Sequence, residues 1–212
     1  AAPQVVPTHG KEAMLGTNPL SIAVPAGSER PFVLDMATSV GAAGKAELAL
    51  RAGKNLPYGW VVDPAGLPTT DPRTLMQGGS LLPLGSFPEL ASHKGYGLAV
   101  AVDVLCGVLS GVGFSNTLDP IRGETGHFFM ALQVEAFRPL EAFLAMMETM
   151  IRTLKSAELA PGADRVYVHG EKELDAEIDR LANGVPMHPD VVKSLSDLGA
   201  RLGVASPFES DE

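Results

Sequence analysis

Two short apolar runs, Leu20-Ser-Ile-Ala-Val24 and Phe32-Val-Leu34, are separated only by Pro25-Ala-Gly-Ser-Glu-Arg-Pro31. A parallel strand pair needs a crossover of about a dozen residues or more, normally a helix, and this segment with two prolines cannot supply one. The runs are therefore expected to pair as an antiparallel hairpin. Further β-branched or aromatic runs bounded by Gly and Pro lie at Trp60-Val-Val62, His127-Phe-Phe-Met-Ala-Leu-Gln-Val134 and Arg165-Val-Tyr-Val168, and these complete the strand candidates. The expected fold class is α/β, with a mixed, largely antiparallel sheet and flanking helices rather than a doubly wound parallel sheet. The sequence contains no internal repeat.

Helical periodicity is clearest in Leu140, Phe143, Leu144, Met147, Met150, Ile151 and Leu154, behind Pro139 at a position that a first helical turn tolerates. Leu174, Ile178 and Leu181 repeat it up to Asn183-Gly184, and Val191, Val192, Leu195, Leu198 and Leu202 repeat it between Pro189 and Gly203. The Ala-rich stretch from Thr38 to Gly53 reads as another helix, with Thr38 or Ser39 as N-cap and Gly53 just past its end. Leu98 to Leu109 reads as a buried helix, because Asp103 interrupts it and makes it a poor membrane span. These patterns divide the chain into a sheet-rich part, 1–138, and a strand-plus-helix part, 139–212, ending in a short acidic tail from Ser206.

Charge narrows the function classes. Over 212 residues, 16 Lys plus Arg stand against 25 Asp plus Glu, for a formal charge of -9, which lacks the basic footprint of non-specific nucleic-acid binding. With 45% hydrophobic and 19% charged residues, the composition is that of a globular chain. The single cysteine, Cys106, can form neither an intramolecular disulfide nor a multi-cysteine metal site, so a reducing cytoplasm is the expected compartment. Ala1 to Pro7 has neither the basic nor the apolar region of a signal peptide and reads as the middle of an extended segment. A preceding segment in the intact gene product is therefore expected, and neither a nucleic-acid nor a membrane partner is.

Two glycine clusters invite a nucleotide reading. Gly41-Ala-Ala-Gly44 and Gly95-Tyr-Gly97 both lack the third glycine of the dinucleotide fingerprint, and no Gly-Lys-Ser or Gly-Lys-Thr occurs, so Rossmann and P-loop assignments fail. Ser92-His93-Lys94-Gly95-Tyr96-Gly97, placed directly before the apolar helix, combines a helix N-terminus, glycines and a cation, which suits a phosphate or carboxylate; the competing reading is a Gly-rich turn with a solvated lysine. Asp35-Met36-Ala37-Thr38-Ser39 passes from a strand to a helix, where α/β proteins gather ligands, or is simply a strand end plus a cap. Thr69-Thr70-Asp71-Pro72 reads as a loop and capped turn, and Asp103 as a buried group with a structural hydrogen bond. The five histidines have no metal-ligand spacing, and Cys106 reads as a small buried hydrophobe.

Taken together, Gly16-Thr-Asn-Pro19, Asp35-Met-Ala-Thr-Ser39, Gly59-Trp60 with Asp63 and Gly66, Pro68-Thr-Thr-Asp-Pro72, His93-Lys-Gly-Tyr-Gly-Leu98, Gly126-His-Phe-Phe129 and Gly170-Glu171 run in an order that resembles one family. This is the type 2 malate/L-lactate dehydrogenases, which also include ureidoglycolate, sulfolactate and diketogulonate dehydrogenases and cyclic imine reductases. The resemblance covers Ala1 to about Gly203. It implies a non-Rossmann nucleotide domain over 1–138, NAD or NADP as cofactor, a homodimer, and interconversion of a small 2-hydroxy acid with its 2-keto acid. Alternatives are reduction of a cyclic imine-2-carboxylate, or nucleotide binding without activity.

The nucleotide contacts implied by the resemblance fall on Asp35, Met36 and Ala37 with Thr38 and Ser39 adjacent, on Lys94 with His93 beside it, and on Gly170, Glu171 and Lys172. The family's catalytic histidine lies on an N-terminal helix that no part of these residues matches, so the catalytic residues are unassigned and no metal is implied. Two local departures are His169, where the family often has proline, and an extra loop at Gly85 to Ala91.

Overall fold

The structure is a computed structural model and describes residues 2–118, 124–206 and 208. The expected hairpin is present: β1 (Leu20–Val24) and β2 (Phe32–Met36) pair antiparallel from Leu20 opposite Met36 to Val24 opposite Phe32. β2 runs past Leu34, so Asp35 and Met36 lie within the ladder rather than after it. The first helix, α1 (Ala43–Arg51), precedes a small sheet of β3 (Val61–Val62), β4 (Pro68–Thr69) and β5 (Ser80–Leu81), with β3 central and both pairs antiparallel. Among the described residues, one parallel bridge, between Val5 and Leu81, adds a parallel element to this sheet.

α1 starts later than its sequence suggests. Its N-cap is Ala42, while Thr38 and Ser39 are buried and do not cap. Their backbone instead runs beside the segment after β5: the Val40 N–H donates to Leu82 O at 3.0 Å and the Leu84 N–H to Thr38 O at 2.9 Å. Thr38 also donates its hydroxyl to the carbonyls of Thr17 and Asn18, which turns the side chain toward that segment, four residues before the N-cap. At the other end, Gly53 at φ +62 accommodates the left-handed turn just beyond α1, as expected.

α2 (Ser92–Asp103) continues as a π-helical turn over Val104–Val108. The Ser92 to Gly97 motif thus lies inside the helix, not before it, and the Ser92 and Lys94 amides already donate to Phe87 O and Ala91 O. Nor is α2 a buried helix. Its buried stripe is small or polar, made of Ser92, Gly95, Ala99 and Asp103, while Leu98, Val100, Val104, Leu105, Val108 and Leu109 face outward. Close approach to the neighbouring backbone selects the small residues for the inner face.

α3 (Leu140–Lys155) lays Ile151 and Met147 against Ala26, Phe32 and Val168 at the hairpin. A second cluster of Val5, Leu15, Ala46, Leu56, Val61, Leu81 and Ala99 joins α1, α2 and the three-stranded sheet. Two expected strands do not form. His127 to Gln133 has no regular structure before a 3-10 turn at Val134–Ala136, and Phe129 is 88% exposed. Its β-forming residues have no partner strand among the described residues, and a strand exists only by pairing. Arg165 to Val168 is likewise no strand; the adjacent His169 carbonyl accepts one bond, from the Val33 N–H at 3.0 Å.

The compact units divide after Gly170, so α3 belongs to the first unit and the expected boundary at 138 lies inside it. The second unit contains α4 (Glu171–Asn183) and α5 (Pro189–Leu202). α5 begins as its sequence dictates: His188 caps the Asp190 N–H through its side chain, Pro189 opens the first turn, and Gly203 at φ +69 closes the last. Among the described residues no helix is long and apolar enough to cross a membrane, and no group of three potential metal ligands gathers.

Candidate functional site

β2 organises the site. At Val33 it takes the hydrogen bond to His169 O, and Gly170 follows at φ +95. A Cβ on Gly170 would sit 3.0 Å from Val33 Cβ and 3.2 Å from Val33 N, so the close approach and the left-handed backbone both require glycine there. Two residues beyond Val33, Asp35 pairs with Ser21 across the hairpin and stays exposed, followed by the half-buried Met36 and Ala37.

Thr38 and Ser39 turn this segment onto residues 82–84 by the bonds described above and by a bridge from Ser39 to Pro83. The first turns of α2 rest on the same backbone at Leu84. A Cβ at Gly95 would come 2.3 Å from Leu84 O and 2.5 Å from Leu84 N, which measures how tightly the helix is seated. His93 and Lys94, immediately before Gly95, are exposed, and the side chain of neither forms a hydrogen bond or ion pair among the described residues.

Two distant stretches therefore pack along this strand and its extension: Gly170 sits on Val33 of β2, and Gly95, the residue after Lys94, sits on Leu84, whose N–H is bonded to Thr38 O. Glu171 and Lys172 open α4 in the second unit. Chemically, the set offers an exposed carboxylate that accepts from hydroxyls, an ammonium with three donors, and a backbone left bare by glycine. Such donors and acceptors fit the ribose and phosphate of a nucleotide. The Ser92 and Lys94 amides, already bonded, cannot contribute to an anion site at Lys94.

Elsewhere the polar groups have structural work. Asp71 caps the 3-10 helix Pro72–Gln77 by accepting from the Arg73 N–H at 2.9 Å, and the hydrogen bonds from the Arg73 side chain and backbone hold its carboxyl below the usual range. Asp103 meets Ser115, in line with the structural hydrogen bond expected of it. Asn18, which the sequence offers only as part of Gly16-Thr-Asn-Pro19 and without a role of its own, is buried at φ +38. The available signal was an asparagine, a residue that tolerates the left-handed region, directly before a proline.

The fold is a mixed α/β arrangement built on small antiparallel sheets, outside the parallel, doubly wound class. The chain belongs to the malate/L-lactate dehydrogenase family, whose profile matches residues 1–196. It is 42% identical over 206 residues to a malate dehydrogenase of Pyrococcus abyssi, covering 95% of this chain and 57% of that protein. It is 37% identical over 211 residues to an L-lactate dehydrogenase of Cupriavidus necator, covering 97% and 58% respectively. The structure superposes on the crystal structure of malate dehydrogenase from Entamoeba histolytica with a TM-score of 0.90 at 34% identity, covering 98% of this chain and 61% of that one. The chain thus spans somewhat under two thirds of the length of these relatives.

Proposed function

We propose that the whole protein interconverts a small 2-hydroxy acid and its 2-keto acid with NAD or NADP, as a malate/L-lactate type dehydrogenase, in the cytoplasm. The observation that carries this reading is the match of the chain to this family, supported by the seating of Gly170 on Val33 of β2 and of the Lys94-bearing turn of α2 on Leu84, which is bonded to Thr38. A nicotinamide ring, when bound, supplies the hydride exchanged with substrate C2. Residues of this chain hold the nucleotide. Asp35 accepts from ribose hydroxyls, and Lys94 lays its charge against a phosphate or ribose edge. Met36, Ala37, Thr38 and Ser39 shape the strand end beneath it, with Gly170 as a further contact. The proton on the substrate oxygen comes from a histidine in the part of the family chain that these residues do not span.

The protein acts as a homodimer in this reading. Support for an extensive interface comes from the outward apolar face of α2 and from Phe129, Met130, Leu132 and Phe137, all strongly exposed.

The test is a fluorescence titration of the whole protein with NADH and then NADPH, followed by addition of pyruvate or oxaloacetate. Saturable binding of one nucleotide, weakened about tenfold or more in Lys94→Ala, and its oxidation by a keto acid are expected. Failure of both nucleotides to bind overturns the reading, and unchanged affinity in Lys94→Ala overturns the role of that lysine.

A further inference from the structure

Four segments distant in sequence meet at one buried polar point between α2 and the Asp35 segment. Asn18 is 1% exposed; its Nδ2 donates to Ala99 O at 2.9 Å, and its own main-chain carbonyl accepts from the Thr38 hydroxyl at 3.0 Å. Beside it, the buried Ser115 hydroxyl donates to Asp103 Oδ1 at 2.8 Å and accepts from the Gly16 N–H at 2.8 Å. The Ser115 N–H reaches Asp103 Oδ2 at 3.3 Å. Ser115 has one hydroxyl proton, and the nearer carboxyl oxygen takes it in preference to Asn18 Oδ1 at 3.4 Å.

The cluster is placed where the candidate site needs its spacing set. Ala99 stands on α2 about 7.5 Å along the axis from Lys94, at the usual rise per residue. Thr38 follows Asp35 to Ala37 directly. Asn18 is thus bonded on one side to the helix that carries Lys94 and on the other to the strand end that carries Asp35. Small residues on the inner stripe of α2 bring it close to residues 82–84, but such a face offers little resistance to sliding along the helix axis. Directional hydrogen bonds to Ala99 and Asp103 supply that resistance, because they are lost on an axial shift of an ångström or so.

We propose that Asn18 is a positioning residue that sets the distance from Lys94 to the Asp35–Ala37 strand end and thereby tunes nucleotide affinity. The proposal rests on the reading of these residues as a nicotinamide-nucleotide site. Asn18 is fully covered and acts through the two segments it joins, without touching the nucleotide.

A double-mutant cycle in the whole protein tests it, with Asn18→Ala, Lys94→Ala and the pair, reading the dissociation constants of NADH and NADPH, the substrate KM, kcat and the thermal midpoint. Asn18→Gly is the companion variant, because glycine removes the same amide while easing the left-handed backbone. Asn18→Ala and Asn18→Gly are each expected to raise the nucleotide dissociation constant about tenfold, with a smaller change in substrate KM. In the Lys94→Ala background that effect should shrink to about threefold or less, since the lysine being positioned is gone. A residue that only stabilised the fold would give additive effects. Additivity, or unchanged affinity in Asn18→Gly while Lys94→Ala weakens binding, overturns the positioning role alone. Unchanged affinity in Lys94→Ala itself overturns the nucleotide reading of Lys94 and the proposal with it.

Discussion

Gly95 and Gly97 stand one turn-fraction apart in α2 but meet opposite surroundings, and replacing each with alanine should move stability in opposite directions. Alanine in a helix interior gains about 0.5–1 kcal/mol over glycine, largely by restricting the unfolded chain. At Gly97 a Cβ meets nothing within 4 Å, so that gain stands undiminished. For a chain of this size it corresponds to a rise in Tm of about 1–4 °C. At Gly95 the same methyl lies 2.3 Å from Leu84 O, 2.5 Å from Leu84 N and 2.7 Å from Leu84 Cα. These are backbone atoms, held in place by the Leu84 N–H to Thr38 O bond, and cannot turn aside as a side chain would. Overpacking costs about 1–3 kcal/mol. Weakening the Leu84–Thr38 bond adds about 1 kcal/mol. The loss outweighs the helical gain, for a net destabilisation of about 1–3 kcal/mol and a fall in Tm of roughly 2–12 °C. Thermal unfolding followed by far-UV circular dichroism reads both variants, and the common unfolded-state term cancels in the comparison. A Gly95→Ala chain as stable as the parent, or a Gly97→Ala chain that falls equally far, would refute the close seating of α2 on Leu84.

Two further outcomes are expected. Glu148 accepts from the Ser28 N–H at 2.8 Å and pairs with Arg152, and the Ser28 hydrogen bonds chiefly hold its carboxyl below the usual glutamate range. A depressed folded-state value means that the unfolded chain binds the proton more readily, so this contribution is complete above the ordinary glutamate range and disappears as pH falls through it and below. Chemical denaturation across that acidic window should therefore cost the parent more stability than Glu148→Gln; parallel pH profiles would contradict the assignment. On the apolar surface, a Phe129→Glu, Met130→Glu variant should weaken self-association of the whole protein in sedimentation velocity, yet change the Tm of the 212-residue chain little, because both side chains are exposed within it. Unaltered association would remove this face from the interface.

Much of the architecture was legible in the chain because its determinants are local. The Pro25 to Pro31 connection forces the β1–β2 hairpin whatever surrounds it, and the spacing from Leu140 to Leu154 specifies α3. Pro189 and Gly203 bound α5 through groups a few residues away. Half of the site was also visible as composition: a carboxylate at a strand end and a lysine in a glycine-rich turn. Its assembly was not. Thr38 looks like a cap in its local context, yet its partners are Thr17, Asn18 and Leu84, and only the folded chain brings those together.

The outward apolar face of α2 and the unpaired His127 to Gln133 segment show the same limit from the other side. Hydrophobicity and β-propensity state what a segment favours, whereas burial and ladder hydrogen bonds depend on which surface arrives opposite it. By itself, the sequence determined the kinds of elements, the antiparallel hairpin and the chemical character of Asp35 and Lys94. Tertiary structure alone decided that Asn18 would join α2 to the strand end and that Gly170 would close on Val33. Hydrogen bonds and steric contacts act over a few ångströms, and the groups that make these ones lie tens of residues apart in the chain.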